Sequence, residues 1–266
     1  MKLVSFLGAA MAANTIYNAH DHMTKIAETQ DGSLFDVSAD DYPHLKVMHL
    51  YGDAYARGVA HGRLLDEQIY EFVFKGIDDY AKGEVLDMDL PKQMPDWAKN
   101  LMHQYVLPWA ANFAVELSQR GLVFVYHAEK KFNTASKANV FAEIKGIADG
   151  MCENPKFAEE CKTGEIEARL IKVNMVPDLS QMQCSMMGAW GSATADGNLI
   201  QYRTLDFGGG PFPNNNVVMV QHPTDAGHNY AAIGFPGFVG TVTGFSEYVS
   251  QSEAESSSIW SEGTYN

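Results

Sequence analysis

Two short, strand-like runs of apolar and small polar residues, Cys184 to Ala193 and Asn198 to Asp206, stand either side of Ala195-Asp196-Gly197. Asp-Gly tolerates the positive φ that a two-residue turn requires, so this stretch is predicted to be a β-hairpin. Upstream, a strand is predicted over Leu45 to Tyr51. It leads into a helix from Ala54 to Phe74, where Val59, Leu64, Leu65, Ile69, Phe72 and Val73 recur at helical spacing. Gly58 and Gly62 lie one turn apart on that helix and would let another backbone approach closely. His61 beside them reads as a packing contact rather than a ligand. From Pro95 to Gln119 the stripe of Trp97, Leu101, Tyr105, Trp109, Phe113 and Leu117 predicts a core-facing helix, kinked or broken at Pro108. A third helix is predicted over Ser136 to Met151, with Gly150 at its stop. Residues 153–182 are polar and punctuated by proline, with one apolar segment at Leu170 to Val176, and read as a linker.

After the hairpin, Gly208-Gly209-Gly210-Pro211 makes a tight loop; no lysine or helix start follows it, so a phosphate-binding loop is excluded. Strands are expected over Asn216 to Gln221, Asn229 to Phe235 and Val239 to Gly244. Strands in succession behind a helical region predict an α+β fold with an antiparallel sheet.

Composition narrows the classes. With 46% apolar residues in 266, the chain can bury a sizeable core. Its formal charge of -14, from 33 acids against 19 Lys and Arg, argues against nucleic acid, which needs a clustered cationic surface. The first residues pair Lys2 with a short apolar run and small residues at Ala10 and Ala12, the form of a secretory signal over residues 1–17. No window approaches the roughly 18 apolar residues of a membrane span, so no transmembrane span is expected. Cys152 and Cys161 are placed to bridge in an oxidising compartment, leaving Cys184 as a free thiol. His20-Asp21-His22 lacks further ligands, so no metal site is assigned. No cofactor is expected.

A thiol at Cys184, a cation at Arg203 and a carboxylate at Asp206, on neighbouring strands, are the parts of a nucleophilic acyl-transfer site. Cys184, Trp190-Gly191, Thr194-Ala195-Asp196-Gly197 and Arg203-Thr204-Leu205-Asp206 together resemble the start of the mature chain in the cysteine N-terminal-nucleophile (Ntn) hydrolases. The match is to the penicillin acyltransferase (peptidase C45) and choloylglycine hydrolase group, with its phospholipase B-like relatives. Two further stretches resemble the same group: Gly52-Asp53-Ala54-Tyr55-Ala56-Arg57-Gly58-Val59-Ala60-His61-Gly62 upstream, and Gly234-Phe235-Pro236-Gly237 downstream.

The resemblance implies an αββα sandwich and self-cleavage at Gln183-Cys184. An α/β pair of chains would result, the freed α-amine of Cys184 serving as base, since its ordinary pKa of about 7.7–8.0 suits proton transfer near neutrality. Asp206 would orient that amine, and Arg203 would balance charge or meet substrate. The implied activity is hydrolysis or acyl transfer at linear amide bonds other than peptide bonds, on a small N-acyl or lipid substrate, in a secreted or lysosomal protein. A phospholipase B-like ester hydrolase and a non-catalytic binding protein are the alternatives. Where the family carries an oxyanion-binding Asn after the Pro-Gly turn, this chain has Ser246. The implied organisation is a helical region over 18–183, the first part of the sheet domain over 184–247, and a disordered Ser- and Glu-rich tail over 248–266. The sandwich is thus expected to be incomplete at its C-terminus.

Overall fold

The computed structural model describes residues 23–37, 45–86, 90–110, 136–179, 183–206, 211–212, 215–225, 228–241 and 243–246. The N-terminal segment, His20-Asp21-His22, the triple glycine and the tail lie outside them. Within these bounds the fold is α+β.

Three strands come first: β1 (Thr24–Thr29), β2 (Gly32–Asp36) and β3 (Lys46–Gly52). They join β6 (Val217–Pro223), β7 (Tyr230–Gly234) and β8 (Thr243–Ser246) in a six-stranded sheet of order β1-β2-β3-β6-β7-β8. β3 and β6 run parallel, from Lys46 opposite Val217 to Gly52 opposite Pro223. The antiparallel expectation therefore fails at this pair, because the helical crossover from β3 returns the chain in the same direction. The sheet is also not confined to residues after the hairpin, since three strands precede it. β1 and β2 are an addition to the predicted strands, and the last strand begins later than Val239.

Helix α1 (Ala54–Ile69) starts where the Asp53 carboxylate accepts from the Ala56 N–H at 2.8 Å, an N-cap. It does not stop near Phe74 as predicted. A wider turn over Tyr70–Gly76 carries it into α2 (Ile77–Leu86), with Phe72 and Val73 buried through the transition. α3 (Asp96–Leu101) overturns a second expectation. Trp97, Tyr105 and Trp109 are 72%, 61% and 66% exposed, so these members of the stripe are not core, and Leu107 is the buried residue among the described ones around them; Phe113, Leu117 and the rest of the predicted helix beyond residue 110 lie outside the described residues. Periodicity identifies a face that can be buried, not how deeply it is buried.

α4 (Ser136–Met151) matches its prediction. The linker expected over 153–182 is instead helical: a 3-10 turn at Pro155–Phe157, α5 (Ala158–Thr163) and α6 (Glu165–Leu179). Ile166, Leu170, Ile171 and Val173 are buried on one side of α6, a helical spacing that the surrounding charges obscure. Pro155 sits in the first turn, where its missing N–H costs nothing. A disulfide joins Cys152, at the end of α4, to Cys161 in α5.

The core forms where α1 lies on one face of the sheet, with α4 packed along α1 and α6 against α4. Met48, Leu50 and Met219 meet Leu65, Ile69, Ile147, Met151 and Leu170, and Phe72 stacks on Phe235 with Phe212 and Phe238 against it. α1 and α4 touch backbone to backbone. A Cβ on Gly58 or Gly62 would overlap the carbonyl of Glu143 or Ile147, and one on Gly146 or Gly150 the carbonyl of Tyr55 or Val59.

Candidate functional site

The predicted hairpin is present as a two-stranded ribbon, β4 (Gln183–Gly191) and β5 (Gly197–Asp206). Its turn is longer than the two residues expected. Residues 192–196 form the loop, Asp196 accepts from the Asn198 N–H at 3.1 Å, and Gly191 and Gly197 take the positive φ values of 58° and 77°. A register shift after Ala189 accounts for the extra length.

Register places the candidate residues. Cys184 pairs with Leu205, Gln183 with Asp206, and Met186 with Arg203. The Gln183-Cys184 peptide bond therefore lies directly across from Leu205-Asp206. Positions 184 and 203 share one side of the ribbon, while 206 stands beside the end of the strand at which a new amino group would appear.

Arg203 is half-buried and its Nη1 donates to the Thr243 hydroxyl. Thr243 pairs with Ile233, which is 42% exposed and turned away from the helices, whereas its neighbours Ala232 and Gly234 are buried. The ribbon thus meets the sheet at β8, on the side opposite α1. Ser246 stands on the same strand, paired with Tyr230. Cys184, Arg203 and Asp206 are brought onto one ribbon, whereas position 246, three residues beyond Thr243 on β8, alternates to the opposite face of the sheet and is not brought to the ribbon's side. Across the rest of the sheet face on the ribbon's side run Phe35, His49, His222 and Tyr51; the two imidazoles are 3.2 Å apart and Tyr51 stacks on His222 at 4.4 Å. Partial burial and the neighbouring His222 both lower the His49 pKa.

The turn that leads to β8 is clamped by residues the sequence did not single out for this. The Gly237 N–H donates to Nε2 of His61 at 3.1 Å, Asn174 Nδ2 donates to the Gly237 carbonyl at 2.8 Å, and Asn174 Oδ1 accepts from Val239 N–H at 2.9 Å. Gly237 needs its positive φ of 84° and packs on Leu170, Ile69 and Val73. His61 is fully buried, and desolvation pushes its pKa down to about 4, so it stays a neutral acceptor. Its packing role is as predicted; the hydrogen bond to Gly237 is new. Asn174 lay within the presumed linker, and only the helical spacing of Leu170, Ile171 and Val173 around it could have drawn attention to it.

At the start of α1, Arg57 is buried with Glu143 and near Asp225. Its Nη1 is 3.1 Å from Asp225 and 2.7 Å from the Gly52 carbonyl, and its Nη2 3.6 Å from Glu143. The Ala54 N–H donates to the other Asp225 oxygen at 3.0 Å. Burial raises the Glu143 pKa to about 7, against the pull of Arg57. Asp225 is held below the ordinary range by Arg57 and the Ala54 N–H, which outweigh its desolvation.

Among the described residues no group of three or more His, Cys, Asp or Glu is placed to hold a metal, and no helix is long and apolar enough to cross a membrane. No family model matches the chain. It is 32% identical over 235 residues to protein dcd1A of Dictyostelium discoideum, across 84% of this chain and 47% of that protein. It is 28% identical over 226 residues to protein dcd1B of the same organism, across 84% of this chain and 40% of that protein. The chain therefore spans less than half the length of these curated relatives.

Proposed function

We propose that the chain carries an Ntn-type acyl-transfer site that cleaves linear amide bonds of a small N-acyl substrate, with Cys184 as nucleophile after self-cleavage. The observation that carries this reading is the register that sets Asp206 opposite Gln183 and Cys184 opposite Leu205. In self-cleavage the Cys184 sulfur attacks the Gln183 carbonyl carbon. The peptide C-N bond breaks, the thiol proton passes to the departing nitrogen, and a thioester links Gln183 to the sulfur. Water then adds its hydroxyl to the acyl carbon and returns a proton to the sulfur, leaving a Gln183 carboxylate and a free Cys184 amine.

That amine next accepts the thiol proton, because a free thiol with a pKa near 8.5 is a weak nucleophile at neutral pH. The thiolate attacks the substrate carbonyl, the C-N bond breaks with the proton delivered to the leaving amine, and water or an acceptor amine resolves the acyl-cysteine. Asp206 holds the Cys184 amine in place. The contact of the ribbon with the side of the sheet opposite α1 supports a helix–sheet–sheet layering, the first three layers of an αββα sandwich. The Cys152–Cys161 bridge supports a secreted or lysosomal location.

A non-catalytic binding protein is the competing reading, favoured by Met187, Ile200 and Tyr202, which stand 64%, 58% and 57% exposed on the ribbon. Intact mass and N-terminal sequencing of the wild type beside Cys184→Ala decide between them. A wild-type fragment beginning at Cys184, absent from the variant, is the expected result. Two uncut chains would overturn the catalytic reading.

A further inference from the structure

We propose that Thr243 is a positioning residue for the Cys184 site, its hydroxyl holding the Arg203 guanidinium so that the ribbon keeps its place over β8. This rests on reading Cys184 as the nucleophile, but its test does not. Arg203 lies two residues before Leu205, the register partner of Cys184, and Thr243 lies three residues before Ser246 on β8. This hydrogen bond ties the strand across from the thiol to β8. A hydrogen bond from a charged donor is worth more than a neutral one, which suits this contact to hold the ribbon at β8. Arg203, in this arrangement, serves to dock the ribbon rather than to meet substrate.

The same donor-acceptor pair also explains why a hydroxyl is needed at 243. Valine would match threonine in shape and β-propensity and remove only the acceptor. Serine would keep it.

Hydrogen exchange on the full chain, read segment by segment for wild type, Thr243→Val and Thr243→Ser, separates anchoring from general stability. In Thr243→Val the amides of β4 and β5 should exchange about tenfold faster, with α1 and β3 unchanged, and Thr243→Ser should restore wild-type rates. Self-cleavage at Gln183-Cys184 should slow by a similar factor in the valine variant alone. Wild-type exchange in the valine ribbon, a serine variant that behaves like valine, or equal acceleration in α1 and β3 would each overturn the proposal. A wild type that never cleaves would sink the nucleophile reading, while the exchange contrast would still decide the anchor.

Discussion

Nη2 of Arg57 stands 3.6 Å from the carboxylate of Glu143, and both side chains are shut away from solvent where α1 crosses α4. Glu143 keeps its proton to about pH 7 when folded, but an unfolded Glu releases it near 4.5. The folded state thus holds the extra proton between those values, and the stability this gives, full below about 4.5, is lost as pH rises through 7. His61 acts in the opposite sense. Its folded pKa near 4 lies below the unfolded 6.5, so its contribution is present above 6.5 and lost as pH falls through 4. Each is worth on the order of 3 kcal/mol.

Between pH 4.5 and 6.5 the two slopes offset, and wild-type melting temperature should change little across that range. Glu143→Gln should leave a melting temperature that climbs with pH, and His61→Gln, which keeps an acceptor for Gly237, one that falls. Thermal melts at half-unit pH steps check both signs. Parallel curves for all three proteins would show that neither group titrates as described.

The contact between α1 and α4 predicts an asymmetry among glycines. Gly62→Ala should cost about 3 kcal/mol or more, because the added methyl meets the Ile147 carbonyl and the helices must separate. Gly83→Ala in α2, where a Cβ meets nothing within 4 Å, should instead stabilise by about 0.5–1 kcal/mol. Urea unfolding of both variants reads the difference directly.

Reducing the Cys152–Cys161 bridge, or replacing both residues with serine, should cost about 2–3 kcal/mol, the chain-entropy value for a loop closed across a separation of nine residues. The loss should appear in denaturant midpoints with and without reductant. A reductant-independent midpoint would mean the bridge is not formed in the purified protein.

Ser246 offers a test of the register of β8. Because position 246 alternates to the face away from the ribbon, Ser246→Ala should leave the rate of self-cleavage unchanged, whereas the loss of an oxyanion donor would cost about 10²- to 10³-fold. A rate measurement on the purified variant that shows such a loss would put Ser246 in the site.

The ribbon and α4 were legible because their signals are local. The short strand-like runs on both sides of Asp196-Gly197 and the repeat of Val140, Ile144 and Ile147 each fix an element without outside help. α6 was hidden because Glu165, Glu167, Arg169 and Lys172 interleave with its buried residues and Pro177 follows them, so polarity masked periodicity. The exposed aromatics around Trp97 failed for the converse reason: a stripe states what a face can bury, not what is there to cover it. The clamp on Gly237 joins His61, Asn174 and Val239 across wide sequence separations, and the parallel pairing of β3 with β6 spans more than 160 residues. No single-chain pattern encodes such partners. The candidate residues Cys184, Arg203 and Asp206 could be named from their residue types on a predicted hairpin and from its resemblance to the Ntn motif, whereas Thr243 emerged only once the ribbon was seen against β8.

The parallel ladder between β3 and β6 has a mechanical consequence. A cut between Gln183 and Cys184 would leave β1, β2 and β3 on one piece and β6, β7 and β8 on the other, held by seven paired positions and by the grip of His61 and Asn174 on Gly237. The severed halves would be dovetailed, each lacking half of its own sheet without the other. They would travel as a single particle through any native separation and come apart only when the molecule is unfolded.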